Sequence, residues 1–397
     1  MLPLTLPRPV SADGCLPATA DSVPICAQVM HAFHSDRALS MLSRLPKATS
    51  TPAGVPPPTP LTLRFREFRA QLVQEGWWAR DVTREASNLM PCVGLLLAGT
   101  ALARVQPLLA TILLALGSSA SGWLAHDYVH GRGRWCAFMR PFGALVNGHS
   151  ATWWSNKHNL HHARTNEVGV DEDIMSDPFF FLWAPDPERD VAWRKFQHLY
   201  VAPVYSILFA LWRFNSLKTV ISSRLWREAA PLALNYLWLA CLPVPVAIGH
   251  IFLAGLISAI IVTVTHQSED MFDGLQHDWV LAQFRSTRNA RTSNPFSEWL
   301  WGGMQYQLEH HLFPTMPRYR YRRLAPRLKQ WAAEQGVEYR EDSEAEVLLR
   351  NFRMLRDVAH EPAVTGAPAT RGKSVFAQRA GAAWVPSVST STSAPQR

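Results

Sequence analysis

Four apolar stretches, arranged in two pairs, constrain this chain more than any other feature. Residues 89–103 and 108–125 are separated only by Arg104, Val105, Gln106 and Pro107, and residues 229–242 and 246–265 by Pro243, Val244 and Pro245. A bilayer-spanning helix needs about 20 apolar residues, so two of these stretches must borrow flanking residues. Each pair reads as a helical hairpin, and no β-barrel alternation is visible. The expected fold is an all-α integral membrane protein with four transmembrane helices in two hairpins. Arg80 and Arg84 precede the first hairpin, and Arg213, Lys218, Arg224 and Arg227 precede the second. The turn of the first hairpin carries one basic residue, Arg104, and that of the second carries none. The excess of basic residues on the cytosolic side of membrane proteins puts both ends of each hairpin in the cytosol.

Composition agrees. Hydrophobic residues make up 48% of the chain and charged residues 18%, which is too apolar for wholesale disorder. The net charge of +8 fits either a nucleic-acid binder or a membrane protein with a basic cytosolic face. The basic residues flank apolar segments, which favours the second, and no nucleic-acid partner is expected. The cysteines (Cys15, Cys26, Cys92, Cys136 and Cys241) are odd in number and form no CxxC pair. That argues against a disulfide framework or a cysteine-rich zinc site, and fits a reducing compartment. No basic segment leads into a clean apolar run at the N-terminus, so no secretory signal is expected.

The chain is expected to divide into an N-terminal segment 1–60, a membrane domain 61–345 and a C-terminal tail 346–397. The first segment is rich in Pro, Ser, Thr and Ala, ends in Pro56-Pro57-Pro58, and reads mostly as linker. Residues 62–85 are expected to form an amphipathic helix with Phe65, Phe68, Leu72 and Trp77 on its apolar face. Residues 199–212 are expected in the membrane interface, and residues 137–154 are apolar enough to dip into the bilayer. The tail after about residue 360 is expected to be disordered.

The chemistry lies in three histidine clusters. His126 and His130 (HDYVH) close the second apolar stretch, and their i, i+4 spacing puts both imidazoles on one helix face. His158, His161 and His162 (HNLHH) again share a face. His310 and His311 (QLEHH) repeat that spacing with Gln307 in the first place, and His266 follows the fourth apolar stretch. Two membrane crossings separate the second cluster from His266, so all the clusters emerge on one side, where they can converge. Neutral imidazole is a good iron ligand. A set this large divides into two metals with about four ligands each, whereas single-iron facial sites use two histidines and a carboxylate. Zinc is the second choice, because its sites rarely need so many histidines. A lone HxxxH would be weak evidence; two HxxHH-type boxes on the same side of the membrane are not ordinary surface histidines. His149, His198, His250 and His277 are assigned no role. Asp127, Asp171 and Asp173 either orient ligand imidazoles through the second ring nitrogen or serve as helix caps and surface charge.

HDYVH, HNLHH and QLEHHLFPTMPR resemble the three boxes of membrane fatty-acid desaturases, and the glutamine opening the third resembles the front-end subgroup. Residues 162–173 and the pair Asp278-Trp279 are similar to flanking segments of that family. The resemblance covers about residues 62–335. It implies four membrane helices under a cytosolic helical cap, a di-iron centre, and an acyl chain in a bent tunnel. It implies His126, His130, His158, His161, His162, His266, His310 and His311 as ligands, with Gln307 in the first shell or bound through water. The implied reaction is dioxygen-dependent desaturation of an unsaturated long-chain acyl group, lipid- or CoA-linked, on the carboxyl side of an existing double bond. A sphingolipid long-chain-base desaturase, a fatty-acyl hydroxylase and a catalytically inactive lipid-binding protein are the alternatives. The implied location is the endoplasmic reticulum membrane with the site facing the cytosol; a plastid membrane stays open.

Front-end relatives often carry a fused cytochrome b5 domain with an HPGG haem motif. That motif is absent from these residues, although His31-Ala32-Phe33-His34-Ser35 resembles the end of such a domain and is read as a remnant of one. No nucleotide loop or iron–sulfur cysteine spacing is present either. Electrons are therefore expected from an external donor, free cytochrome b5 with its reductase or ferredoxin. The basic run over residues 318–329 is a docking surface for that donor, a site for phosphate groups of the substrate, or a face against anionic lipid.

Overall fold

The computed structural model describes residues 23–34, 36–44 and 57–365. The chain is mostly helical. The first helices are α1 (Val23–Phe33), α2 (Asp36–Ser43) and α3 (Pro60–Gln74). Thr59 caps α3 by accepting from the Thr62 amide at 3.0 Å, and Pro60 occupies its first turn. The amphipathic helix expected over 62–85 is not continuous. It stops at Gln74, and Gly76 takes a positive φ of 75° that a side chain resists. A new helix, α4 (Val82–Leu102), starts behind the cap residue Asp81, whose side chain accepts from the Arg84 amide at 2.8 Å. Phe65, Phe68, Leu72 and Trp77 are all buried, as their spacing predicts.

A short turn joins α4 to α5 (Pro107–His130), and the two pack along their length as the first expected hairpin. Because α5 runs unbroken to His130, the first histidine box is the last turn of an apolar helix. Three short helices follow: α6 (Gly133–Met139), α7 (Phe142–Asn147) and α8 (Ala151–Ala163). They occupy the stretch expected to dip into the bilayer. The segment expected at the interface becomes α9 (Gln197–Ser206) and α10 (Leu208–Ser222), broken at Ile207.

The second pair of apolar stretches forms α11 (Trp226–Cys241) and α12 (Val244–Thr263). These two touch little. α11 packs mainly on α7, whereas α12 packs on α5, α9 and α10. Gly255 makes the contact with the end of α9 possible, since a Cβ there would stand 2.5 Å from the Ser206 carbonyl oxygen. Among the described residues, α4, α5 and α12 are long and apolar enough to cross a membrane. α11 has 16 residues, or about 24 Å of helix against a hydrocarbon core of about 30 Å.

The rest of the chain forms α13 (Trp279–Ser286), the strand β1 (Asn289–Arg291), α14 (Pro295–Trp301), α15 (Gln307–Leu312), α16 (Tyr321–Glu334), the strand β2 (Glu341–Ser343) and α17 (Glu344–His360). β1 and β2 pair in parallel, with Asn289 opposite Glu341 and Arg291 opposite Ser343. This small sheet departs from the all-α expectation. It ties the chain before the third box to the segment after α16. Ser343 caps α17 and Glu346 stands three residues on. Val347, Met354, Leu355 and Val358 of α17 are buried, so the body continues past residue 345 to His360. Residues 366–397, where disorder was expected, lie outside the described residues.

A core of Phe65, Phe68, Trp279, Phe284, Leu308, Phe313 and Trp331 holds α3, α13, α15 and α16 together as a cap. Phe68 and Trp331 stack at 5.5 Å. Val29, Ala32 and Phe33 of α1 belong to the same core, so this part of residues 1–60 is a packed helix and not linker. The histidine boxes lie between this cap and the ends of α5 and α12.

Candidate metal centre

Each box is placed by a different element. α5 presents His126 and His130 one turn apart. α8, capped by Ser150 accepting from the Trp153 amide at 3.1 Å, presents His158, His161 and His162. α15 presents Gln307, His310 and His311, and His266 sits just past the end of α12. All eight imidazoles are buried and fall into two all-histidine groups, while His158 of one and His161 of the other also group with Asp173. His126, His130, His158, His162 and His310 form one; His161, His266 and His311 form the other. Within each group the candidate ligand atoms lie within 4.8 Å of one another. His126 Nε2 approaches His158 Nε2 to 2.7 Å, and His162 Nε2 approaches His158 Nε2 to 3.2 Å.

The group of three is oriented from behind. His161 Nδ1 lies 2.8 Å from Asp171 Oδ2, His266 Nδ1 lies 2.9 Å from the Ser286 carbonyl, and His311 Nδ1 lies 2.8 Å from Gln283 Oε1. With each Nδ1 donating outward, the three Nε2 lone pairs face inward, as metal-binding imidazoles require. The Gln307 amide completes this side, with its Nε2 2.7 Å from His266 Nε2. Asp171 is itself held by the Asn166 and Asp173 amides at 2.8 and 2.9 Å. Burial raises its carboxyl, but His161 and the Asn166 amide outweigh this and leave it below the usual carboxylate range.

Both ring nitrogens of His130, Nε2 of His310 and His311, Nδ1 of His158 and His162, and Oε1 of Gln307 are buried without a hydrogen-bond partner. A buried polar atom left unpaired costs about 1–3 kcal/mol, and so many side by side call for a common partner. Burial and then the neighbouring imidazoles push His158, His162, His310 and His311 well below the usual imidazole range. His266 is pushed down to about 3, chiefly by burial and then by His161. Neutral, lone-pair-bearing imidazoles in two adjoining sets fit a pair of cations with affinity for nitrogen.

A mostly apolar cavity of about 140 Å³ opens onto His126, His158, His161, His266 and His310. It runs along Trp154, Trp212 and Phe209. The Trp154 ring stands 4.8 Å from His158 and 4.6 Å from Trp212, and Phe209 stacks on Trp212 at 5.5 Å.

A family model described as fatty acid desaturase matches residues 103–343, well over half of the chain and inclusive of every box. The chain belongs to the fatty acid desaturase family. Among curated relatives, an acyl-lipid (9-3)-desaturase of Physcomitrium patens is 29% identical over 77% of this chain and 65% of its own length. A Delta(6)-fatty-acid desaturase of Caenorhabditis elegans is 30% identical over 62% of this chain and 63% of its own. An acyl-lipid 8-desaturase of Rebecca salina is 29% identical over 81% of this chain and 82% of its own. The chain thus spans just under two thirds of the length of the first two.

The structure places three further sequence candidates around this site. Among the described residues Asp127 has no imidazole hydrogen-bond partner; its Oδ2 lies 2.8 Å from Arg80, and its Oδ1 accepts from the Arg318 amide at 3.2 Å. Asp173 is part-exposed, pairs with Lys157, and stands 3.6 Å from His161 Nδ1 and 3.8 Å from His158 Nδ1, close enough to group with these two imidazoles as possible metal ligands. Much of the basic run is engaged internally: Arg320 donates to the Ala79 carbonyl, Arg327 pairs with Glu75, and Lys329 pairs with Glu341, while Arg322 and Arg323 stay exposed. His149, against Phe209 and Trp212, lines the apolar cavity but stands outside both groups, as do His198 and His250.

Sequence reasoning missed Gln283, the Ser286 carbonyl, Trp154 and Phe33. None stands in a box, and no spacing signals a contact made across the fold. Asp278-Trp279 did carry a signal. Asp278 caps α13, and Trp279 Nε1 donates to the His162 carbonyl at 3.0 Å.

Proposed function

We propose that the chain is a dioxygen-dependent desaturase of unsaturated long-chain acyl groups, with a di-iron centre. One iron would be held by the group of five imidazoles and the other by the group of three with Gln307. The observation that carries this reading is the division of the buried imidazoles into two adjoining sets at the end of an apolar cavity. Bound there, the irons supply what no side chain can, the activation of dioxygen. The overall reaction removes one hydrogen from each of two adjacent methylenes, takes up two electrons and two protons, and reduces dioxygen to two waters.

The chain's own residues bind, orient and exclude. Asp171, the Ser286 carbonyl and Gln283 keep the proton on Nδ1 of His161, His266 and His311, so that Nε2 stays a ligand. Trp154, Trp212 and Phe209 wall the acyl chain beside the centre and keep water away from it. The relatives' names, an acyl-lipid (9-3)-desaturase and a Delta(6)-fatty-acid desaturase, support desaturation of an acyl chain; in this reading the acyl chain is lipid- or CoA-linked and the new double bond lies on the carboxyl side of an existing one.

In this reading residues 61–345, extended by α1 and α17, form the desaturase domain. α11 makes the fourth crossing, with Trp226 and the residues beyond Cys241 reaching the interfaces, and the boxes face the cytosol from the endoplasmic reticulum or a plastid membrane. A cytochrome b5-type or ferredoxin-type donor delivers electrons, steered by the exposed Arg322 and Arg323. The deciding experiment is expression in a host fed defined polyunsaturated acids, with double bonds located by mass spectrometry and iron counted on the purified protein. New double bonds and about two irons per chain are expected, both lost in His161→Ala while that variant still inserts. Full activity in His161→Ala would overturn the reading.

A further inference from the structure

We infer that α1 is the outer wall of the histidine cluster and that Phe33 is the residue that seals His130 and His162 from water. The inference deepens the proposed function, since it gives the N-terminal helix a positioning role at that same centre.

The Phe33 ring lies 5.8 Å from the ring of His130 and 5.6 Å from that of His162, meeting the second edge-on at 82°. These are the two imidazoles with three unpartnered nitrogens between them: Nδ1 and Nε2 of His130, and Nδ1 of His162. Phe33 is buried, whereas His31, on the opposite side of the same helix, is part-exposed, so solvent lies on that side. α1 packs on α8, which carries the second box, and on α13.

Three ties from three parts of the chain hold the helix there. Arg132 donates through Nη2 to the Phe33 carbonyl and through Nη1, at 2.6 Å, to the His130 carbonyl. One guanidinium therefore links the cover to the box it covers. Thr315, just past the third box, donates to the Ala32 carbonyl at 3.5 Å, and Arg66 of α3 donates to Gln28 Oε1 at 2.9 Å. A helix that merely filled the cap core would need Val29 and Ala32 on it, but not a ring directed at two imidazoles. An apolar ring at that point keeps water from competing for the nitrogen lone pairs and from reaching the reaction. His266 and His311 have their Nδ1 atoms engaged elsewhere and make no ring contact with Phe33 among the described residues.

The test uses the full chain in lipid nanodiscs, stripped of metal, and measures the rate at which diethyl pyrocarbonate modifies each histidine by mass spectrometry. In Phe33→Ala, His130 and His162 should react several-fold faster than in the unaltered chain, while His266 and His311 keep their rates. Phe33→Leu, which restores apolar bulk, should return the first two close to the original rate. If Phe33→Ala does not fold, Phe33→Val is read in the same way. Unchanged rates at His130 and His162, or an equal rise at all the imidazoles, would overturn the sealing role. A parallel measurement on iron-loaded protein follows iron loss to a ferrous chelator, which should quicken in Phe33→Ala and recover in Phe33→Leu. If the unaltered chain never holds iron, the metal reading fails, yet the labelling result still decides whether Phe33 covers these imidazoles.

Discussion

Asp171 Oδ2 stands 2.8 Å from His161 Nδ1, with the carboxylate wholly buried and fixed by two backbone amides. The pair fixes which nitrogen of His161 turns toward the centre. Asp171→Asn retains the shape but removes the charge that supports the imidazole. Metal affinity should fall about 10–100-fold, the usual cost of losing such an outer partner. Iron retained after dialysis against graded chelator measures it; retention equal to the unaltered chain would mean that Asp171 serves the loop alone.

Gln307 separates ligand and access roles. Its amide lies beside His266 Nε2, and its Oε1 has no partner. An amide binds metal more weakly than imidazole, which leaves a position open to dioxygen or water. Gln307→Leu should therefore lower turnover well before it lowers iron content. Iron and turnover falling together would mark Gln307 as a structural ligand.

Asp127 should behave as a structural residue despite its place inside the first box. Arg80 bridges Glu85 at 2.6 Å and Asp127 at 2.8 Å, and all three are nearly buried. Burial alone would lower Arg80, yet Asp127 and Glu85 hold it above its usual range. Asp127→Leu leaves the guanidinium half-compensated and the Arg318 amide unpaired, at a cost of about 3–5 kcal/mol. The expected result is a lower temperature of thermal aggregation with iron content per folded molecule unchanged. Loss of iron at full thermal stability would place Asp127 at the centre instead.

The topology prediction follows from helix parity and flanking charge. Tags placed after residue 60 and after residue 365 should both be cytosolic, as protease protection in sealed microsomes would report. A lumenal tag after residue 365 would require that α11 does not cross, and would break the agreement between crossings and boxes.

The sequence by itself carried the spacing-coded features. The i, i+3 and i, i+4 histidines, the apolar runs of α4, α5 and α12, and the basic flanks are all local patterns. A helix turns local spacing directly into a shared face, so the spacing of His158, His161 and His162 is enough to group them. What spacing cannot encode is which faces meet. The grouping of His161 with His266 and His311 depends on how α8, α12 and α15 pack. The engagement of Asp127 by Arg80, 47 residues away in sequence, and the placement of Phe33 over His130 and His162 are likewise long-range packing outcomes. Residues 62–85 carry a helix-like apolar pattern throughout, and the break at Gly76 shows one backbone position overriding it. The second hairpin shows the converse. Its two apolar runs are adjacent in sequence, but α11 finds its larger apolar surface on α7 and α12 finds its own on α5. Burial is set by the complementarity of whole faces, and that property exists only once the chain has folded.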